Sequence, residues 1–251
     1  MIRTALWAVL TAGFLATLTA PAAEADKKTA EPGVETKPAA KKKVKPTETA
    51  TSSLNEKGWE KLFDGKTLYG WKEAEFVGHN EVKVEDGKIL MLVGDDITGI
   101  TYTNEVLRMN YEVYLEAARI DGSDFFCALT FPVGKDPCSL IVGGWGGGLV
   151  GLSSLDGSDA SQNETTSYRS FETGKWYHIR LRVTSGQIEA WIEDDKVVDV
   201  KTTGRTISIR IEVERSRPFG IATYRTTGAI RDIRWRELPP PVGKPEIQDK
   251  K

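Results

Sequence analysis

Three side chains in this sequence are of the types that transfer protons or bind metal ions. Asp124 and Glu164 are carboxylic acids and His178 is an imidazole, so each can act as a general acid or a general base. Asp124 can instead cap a turn, and His178 can be an ordinary outward residue of a strand. The two histidines of the chain lack metalloprotease spacing. The sequence therefore leaves any metal unknown, although a divalent ion is compatible with these residues.

Two tryptophans are suited to stacking on a ligand. Trp145 stands in the run GGWGGG, where glycines leave space around its ring, and Trp191 alternates with aliphatic residues. The structural alternatives are a bulged strand with a buried Trp145, and a Trp191 that covers the outer surface of a sheet. For both residues the sequence leaves the two interpretations open.

A polar stretch at residues 153–170 is too long to be a tight turn. It contains Asp156, Glu164 and Arg169, and such long connections are typical of binding loops or of mobile segments. We predict that Glu164 and Arg169 form an acid/base and anion-contact pair, and that Asp156 contributes to ligand binding.

Cys127 and Cys138 are the only two cysteines. They fall in two predicted strands joined by the turn-rich segment 132–137, so they could face each other across a hairpin and form a disulfide. The alternative is a pair of small thiols buried on a packed face. The sequence favours neither.

Several functions are excluded by what the sequence lacks. There is no Gly-x-Ser-x-Gly, Cys-x-x-Cys or Walker motif, and no helical pattern follows the glycines around Trp145. We therefore expect no nucleotide or organic cofactor. The formal net charge of −2 provides no basic surface, so nucleic acid is not an expected partner.

The two ends of the chain are not typical of a folded domain. Residues 1–25 predict a secretory signal peptide, with Arg3, an apolar run and the site Ala23-Glu24-Ala25. Residues 26–53 are rich in Lys, Pro, Thr and Ala and predict a disordered linker, and residues 239–251 predict a disordered tail. We expect export to the periplasm or the outside of the cell, with no membrane-spanning segment in the mature chain.

The central residues 54–238 show the period-two alternation of β-strands. Examples are the segment 176–200 and the hairpin 82–92, which turns at Asp86-Gly87. Later strands are expected at residues 206–213, 219–224 and 230–237. Many short strands without a long helix predict an all-β protein, a two-sheet antiparallel β-sandwich.

Three stretches together resemble the 3-keto-disaccharide hydrolase family. Residues 59–71 (WEKLFDGKTLYGW) are similar to the opening of these domains, and residues 82–90 (VKVEDGKIL) are similar to their second signature. The late segments 174–179 (GKWYHI), 191–198 (WIEDDKVV) and 228–238 (GAIRDIRWREL) resemble the family's last strands. The similarity spans nearly all of residues 54–238.

This resemblance implies a concanavalin A-like jelly roll with a concave sheet that receives a sugar. It also implies cleavage of glycosides whose C3 hydroxyl has been oxidised to a ketone. On that basis Asp124, Glu164 and His178 are the expected catalytic groups, and Trp145, Arg169, Trp191 and Asp156 the expected contacts to carbohydrate.

The middle of the domain departs from the family pattern. Residues 122–126 (GSDFF) and 139–145 (SLIVGGW) stand where many members have an Asn-Ser-Gly stretch, an arginine and a Tyr-Glu-x-Gln stretch. A domain can keep the fold of a family and lack its activity. A non-catalytic, lectin-like glycan-binding or interaction module on the same fold is therefore the alternative prediction.

Overall fold

A computed structural model describes residues 58–239 of the chain. The expected signal peptide, the expected linker, residues 54–57 and nearly all of the expected tail lie outside this range. Within it, no helix combines the length and the hydrophobicity needed to cross a membrane. The strands are, in chain order, β1 (Glu60–Lys61), β2 (Trp71–Glu73), β3 (Val82–Glu85), β4 (Lys88–Met91), β5 (Ile97–Tyr102), β6 (Tyr111–Gly122), β7 (Cys127–Val133), β8 (Asp136–Gly144), β9 (Leu149–Ser153), β10 (Ser167–Tyr168), β11 (Trp176–Thr184), β12 (Gln187–Ile192), β13 (Asp195–Lys201), β14 (Gly220–Tyr224) and β15 (Thr226–Glu237).

These strands form two antiparallel sheets. The eight-stranded sheet has the order β13-β12-β11-β6-β15-β4-β3, with β1 paired to β15. The seven-stranded sheet has the order β10-β9-β8-β7-β14-β5-β2. Inward side chains of both sheets form one apolar core, as the alternate burial along β11 illustrates: Ile179, Leu181 and Val183 are buried and His178 is not. The predicted all-β sandwich is confirmed.

The predicted hairpin at residues 82–92 is also present. β3 and β4 pair through Val84 and Ile89, and the turn uses Asp86 and Gly87 with positive φ values of 47° and 76°. Asp and Gly are the residues that tolerate this left-handed conformation, which explains why the turn could be located from the sequence.

The strand expected at residues 206–213 is a wrong prediction. This segment makes one isolated bridge, Leu155 with Ile207, and then enters the short 3-10 helix Ile211–Ser216. Ile207 packs against the main core, whereas Ile209 and Val213 pack on the outer surface of the seven-stranded sheet. The apolar–polar alternation of this sequence is not matched by alternate burial, since residues 210–212 are all exposed and Ile211 faces solvent.

The two cysteines do not face each other, and the disulfide alternative is incorrect. In the β7–β8 hairpin Cys127 pairs with Val142, whereas Cys138 pairs with Phe131. Four residue positions separate the thiols along the hairpin, about 13 Å at the rise of a strand, which is beyond the reach of a disulfide. Both are free, fully buried thiols in the core, as the other interpretation predicts.

Candidate functional site

A cavity of about 650 Å³ opens on the outer surface of the seven-stranded sheet. It lies where β8 ends, β14 ends and β5 begins, and we call it the groove. Volumes of this size are usual for small-molecule sites. The groove is lined by Glu75, Phe76, Val77, Asp96, Ile97, Asp124, Phe125, Ser139, Ile141, Trp145, Ser153, Arg210, Glu212, Val213, Arg215 and Tyr224.

The floor of the groove is formed by outward residues of the seven-stranded sheet, among them Ile97, Ser139 and Ile141. In β7 and β14 the inward residues Leu129 and Ile221 belong to the main core, whereas Ala128 and Ala222 point outward. Ser139 is a polar member of this floor, and its hydroxyl lies 2.8 Å from that of Thr130. The sequence therefore combines a packed inner layer with a recessed outer surface.

Asp124 lies at one end of the groove with its carboxylate fixed by backbone amides. One oxygen accepts a hydrogen bond from the amide of Phe125 at 2.8 Å, and the other accepts one from the amide of Gly146 at 3.0 Å. The amide of Asp124 itself donates to the hydroxyl of Thr226. Asp124 thus caps a turn, as one sequence interpretation predicted, and also lines the cavity, while its catalytic role stays a prediction.

Trp145 lies beside Asp124, on the turn between β8 and β9. Its φ is 47°, and 44% of the side chain is exposed. The alternative of a buried tryptophan is therefore wrong, although the predicted bulge does occur between Val142 and Gly144. Since Gly146 binds the carboxylate of Asp124, the acid and the exposed indole are held by the same turn.

The glycines near Trp145 make room for an arginine rather than for the indole. A Cβ atom on Gly143 would lie 2.6 Å from Nη2 of Arg119, and both Gly143 and Gly147 have positive φ. Glycine is the residue that meets both requirements, because it has no Cβ and adopts positive φ at little cost.

Arg119 connects the two segments that carry Asp124 and Trp145. Its side chain, 5% exposed, extends from the inner face of the eight-stranded sheet. Nη2 donates to the carbonyl oxygens of Asp124 (3.1 Å), Gly143 (3.2 Å) and Gly147 (2.8 Å). Burial lowers the pKa of this guanidinium, and the nearby charge of Asp124 opposes the change. An arginine in the inward series Val113, Leu115, Ala117 was the sequence signal for this role, and our sequence interpretation missed it.

An aromatic pair and further carboxylates complete the groove. The rings of Phe125 and Tyr224 stack at 5.7 Å with 28° between their planes. Glu75 and Asp96 line the same cavity, and Asp96 forms an ion pair with Arg225. The sequence did not single out these residues, because they come from connections far apart in the chain.

One wall of the groove is formed by residues 206–216 and held by ion pairs. Arg210 binds Asp159 at 2.8 Å and Glu212 at 2.6 Å. Burial raises the pKa of Asp159, but hydrogen bonds from Ser161 and the charge of Arg210 outweigh that and hold it below its ordinary value. The wall is therefore anchored to the 153–170 loop.

Glu164 and Asp156 are not groove residues. Both carboxylates bind the guanidinium of Arg205. The hydrogen bond from Arg205 lowers the pKa of Glu164, and a hydrogen bond from the amide of Thr206 lowers that of Asp156. A carboxylate with a lowered pKa is a poorer general acid near neutral pH, and both residues serve here to fix the loop.

The predicted pairing of Glu164 with Arg169 does not occur. Arg169 instead donates to Asp195 at 2.5 Å and to the carbonyl oxygen of Ile192 at 3.3 Å. It ties the edge strand β10 to the turn between β12 and β13.

His178 and Trp191 lie on the outer surface of the other sheet, away from the groove. Nδ1 of His178 is 3.2 Å from Glu193. The ring of Trp191 is nearly buried beneath cations, with the guanidinium of Arg180 3.9 Å from its centre and Lys196 also above it. Trp191 covers the sheet, as the structural alternative predicted. From the predicted set, the structure thus places only Asp124 and Trp145 in the groove, whereas Glu164 and Asp156 meet at Arg205 outside it.

The described part of the chain contains no group of three or more His, Cys, Asp or Glu side chains placed to hold a metal ion.

Comparison with known proteins adds a family and a set of similar folds. Residues 58–236 match the family described as the 3-keto-alpha-glucoside-1,2-lyase-like domain. No curated protein matches the chain in sequence.

Three solved structures with 14% sequence identity can be aligned with this chain. A proposed glycosyl hydrolase from Parabacteroides distasonis aligns over 72% of this chain and 94% of its own, with a TM-score of 0.48. The carbohydrate-binding module CBM66 from Bacillus subtilis aligns over 67% and 96%, with a TM-score of 0.48. Domain 4 of AbnA, a GH43 extracellular arabinanase from Geobacillus stearothermophilus solved with arabinotriose, aligns over 72% and 91%, with a TM-score of 0.47. Similarity at this level does not identify a ligand for this chain.

Proposed function

We propose a function on the premise that this chain belongs to the 3-keto-alpha-glucoside-1,2-lyase-like family of carbohydrate-related domains. The groove binds a glycoside whose C3 hydroxyl has been oxidised to a ketone, and Asp124 initiates cleavage of its glycosidic bond. The observation that carries the proposal is the hydrogen bond between Gly146 and Asp124, which fixes a carboxylate next to the exposed ring of Trp145.

The proposed reaction is an elimination followed by addition of water. A ketone at C3 acidifies the proton on C2, so the carboxylate of Asp124 removes that proton and an enolate forms. The electron pair of the enolate then makes the C1–C2 double bond while the bond from C1 to the leaving oxygen breaks, and that oxygen takes up a proton. Water adds to the unsaturated sugar later and completes a net hydrolysis.

Residues around Asp124 suit the demands of this reaction. Both carboxylate oxygens are bound by amides, so the base is held in one orientation before substrate arrives. Trp145 presents an aromatic surface on which a sugar ring can stack. Arg215, which also lines the groove, supplies positive charge for the developing enolate oxygen.

The test is cleavage of a 3-keto α-glucoside disaccharide by the purified protein. We expect free 3-keto sugar from the wild type and a loss in kcat of about 10²- to 10⁴-fold with Asp124→Asn, the usual contribution of a general base. Asp156→Asn is the matched control, since its carboxylate binds Arg205 outside the groove. Absence of product from the wild type, with and without added divalent cations, would overturn the proposal.

A second candidate function is glycan binding without cleavage. It is favoured by the observation that, of the three predicted catalytic groups, only Asp124 faces the groove, whose floor is largely apolar. In this case the 3-keto disaccharide and its unoxidised form would both bind and remain intact. Binding would be lost with Trp145→Ala and retained with Asp124→Asn. A protein-interaction module would respond in neither assay.

A further inference from the structure

Tyr168 is an exposed aromatic residue on the same outer surface as the groove but beyond its lining. Its side chain is 70% exposed. In the register of β10 with β9, Tyr168 pairs with Leu149 and Ser167 pairs with Val150. Val150 belongs to the main core, whereas Leu149 belongs to the outer cluster that includes Ile141. Directly paired residues point to the same side of a sheet, so Tyr168 points outward.

Tyr168 also lies at the same end of the sheet as Trp145. Leu149, its partner, is the first residue of β9 and pairs with Gly144, which immediately precedes Trp145. Two strand positions separate β10 from β8, so Tyr168 and Trp145 are about 10 Å apart across the sheet.

A row of aromatic residues therefore runs from the groove toward the edge of the sheet. Along this end come Tyr168 on β10, Trp145 after β8, the Phe125–Tyr224 stack at β7 and β14, and finally Asp96 before β5. Five strand spacings separate β10 from β5, about 24 Å in total. This row is longer than one sugar ring requires, and the proposed base Asp124 lies inside it.

The strand that carries Tyr168 is held in place on both sides. The amide of Arg169 donates to the carbonyl oxygen of Gly148 at 2.9 Å, and its guanidinium binds Asp195. The exposed ring is thus presented by an anchored edge strand next to the Trp145 turn. A pre-positioned ring loses less freedom when it binds a ligand.

We propose that Tyr168 forms a second sugar-binding subsite and that the ligand is an oligosaccharide rather than a disaccharide. The inference rests on the proposed function of the groove. One sugar unit lies at Asp124 and Trp145, and the chain continues toward the edge strand, where a later unit stacks on Tyr168. Tyr168 is a specificity-determining residue and makes no contact with the reacting atoms.

The test compares binding of a 3-keto α-glucoside disaccharide and the corresponding tetrasaccharide by calorimetry at low temperature, before turnover. We expect the wild type to bind the tetrasaccharide about tenfold more tightly, the effect of one good stacking contact. Tyr168→Ala should remove this advantage and leave disaccharide affinity unchanged. Tyr168→Phe should keep it, because the ring remains.

Tyr69→Ala is the matched control, because this tyrosine is 83% exposed and lies outside the groove lining. Tyr69→Ala should still bind the tetrasaccharide about tenfold more tightly than the disaccharide. Equal affinity for both sugars in the wild type, or an unchanged advantage in Tyr168→Ala, would overturn the subsite while leaving the groove's function intact. Failure of the wild type to bind either sugar would overturn both.

Discussion

Arg119 shows how a single buried side chain can set the geometry of a surface site. Its guanidinium has no carboxylate partner of its own and instead binds carbonyl oxygens from the loops on both sides of the groove's end. The pKa of this guanidinium is lowered because burial removes it from water. Arg119 therefore fixes, from inside the core, the two segments that carry Asp124 and Trp145.

We expect Arg119→Met to destabilise the fold and loosen the Trp145 turn. The substitution leaves buried carbonyl groups without donors, at a cost of about 2–4 kcal/mol in the free energy of unfolding. Urea unfolding measures that cost. The rate of hydrogen exchange at the Gly146 amide, which donates to Asp124, measures how often the turn opens. Arg231→Met, which alters an ion pair on the opposite surface, is the control. Unchanged protection of Gly146 in Arg119→Met would contradict this role.

The two core thiols offer a second prediction at this scale. Burial raises the pKa of Cys127 and of Cys138 to about 12, so neither forms the reactive thiolate near neutral pH. Iodoacetamide at pH 8 should leave the folded protein unlabelled and should modify both cysteines in guanidinium. Mass spectrometry after each treatment checks this. A mass increase upon reduction alone would instead reveal a disulfide.

At the scale of elements, the two sheets have different outer surfaces. The eight-stranded sheet is covered by ion pairs and stacked cations, whereas the seven-stranded sheet presents small residues and the groove. On the former, the carboxylate of Glu112 is fully buried beneath Arg182 and Arg236. A charged group is tolerated there because two guanidinium groups surround it.

We expect Glu112→Ala to lower the free energy of unfolding by about 2 kcal/mol. The figure is below that of a fully buried pair because both arginines still reach water. Glu85→Ala, in an exposed pair with Lys83, should cost less than about 1 kcal/mol. Thermal or urea unfolding of the two variants measures the loss in unfolding free energy for each, and the loss should be larger for Glu112→Ala. Equal effects would show that the burial of Glu112 adds nothing.

The sequence was informative where local rules decide the structure and uninformative where distant segments meet. Alternation located β11 and β12, and Asp86-Gly87 located a hairpin, because both depend on neighbouring residues. The same rule failed at residues 206–213, which alternate in sequence but form one isolated bridge and the start of a 3-10 helix. Likewise Asp124 and Trp145 were found individually, but the sequence could not show that Glu164 would bind Arg205 rather than a ligand.

At the scale of the whole molecule, we propose that the domain acts after export. The proposal rests on the N-terminal sequence, in which cleavage is expected after Ala25. Expression of the full chain in a bacterial host should yield periplasmic or secreted protein whose first residue is Asp26, as determined by N-terminal sequencing. Retention of the whole chain in the cytoplasm would contradict export and would leave the groove's chemistry untouched.

The connection between β13 and β14 has a further consequence. Residues 202–219 run from one sheet to the other and supply Arg210, Glu212 and Arg215 to a single wall of the groove. No ladder hydrogen bond of either sheet depends on their side chains, since they lie outside the strands. The sugar preference proposed for the groove can therefore be changed by substituting Arg210, Glu212 and Arg215, which are exposed, while Phe219 at the end of the same connection stays in the core.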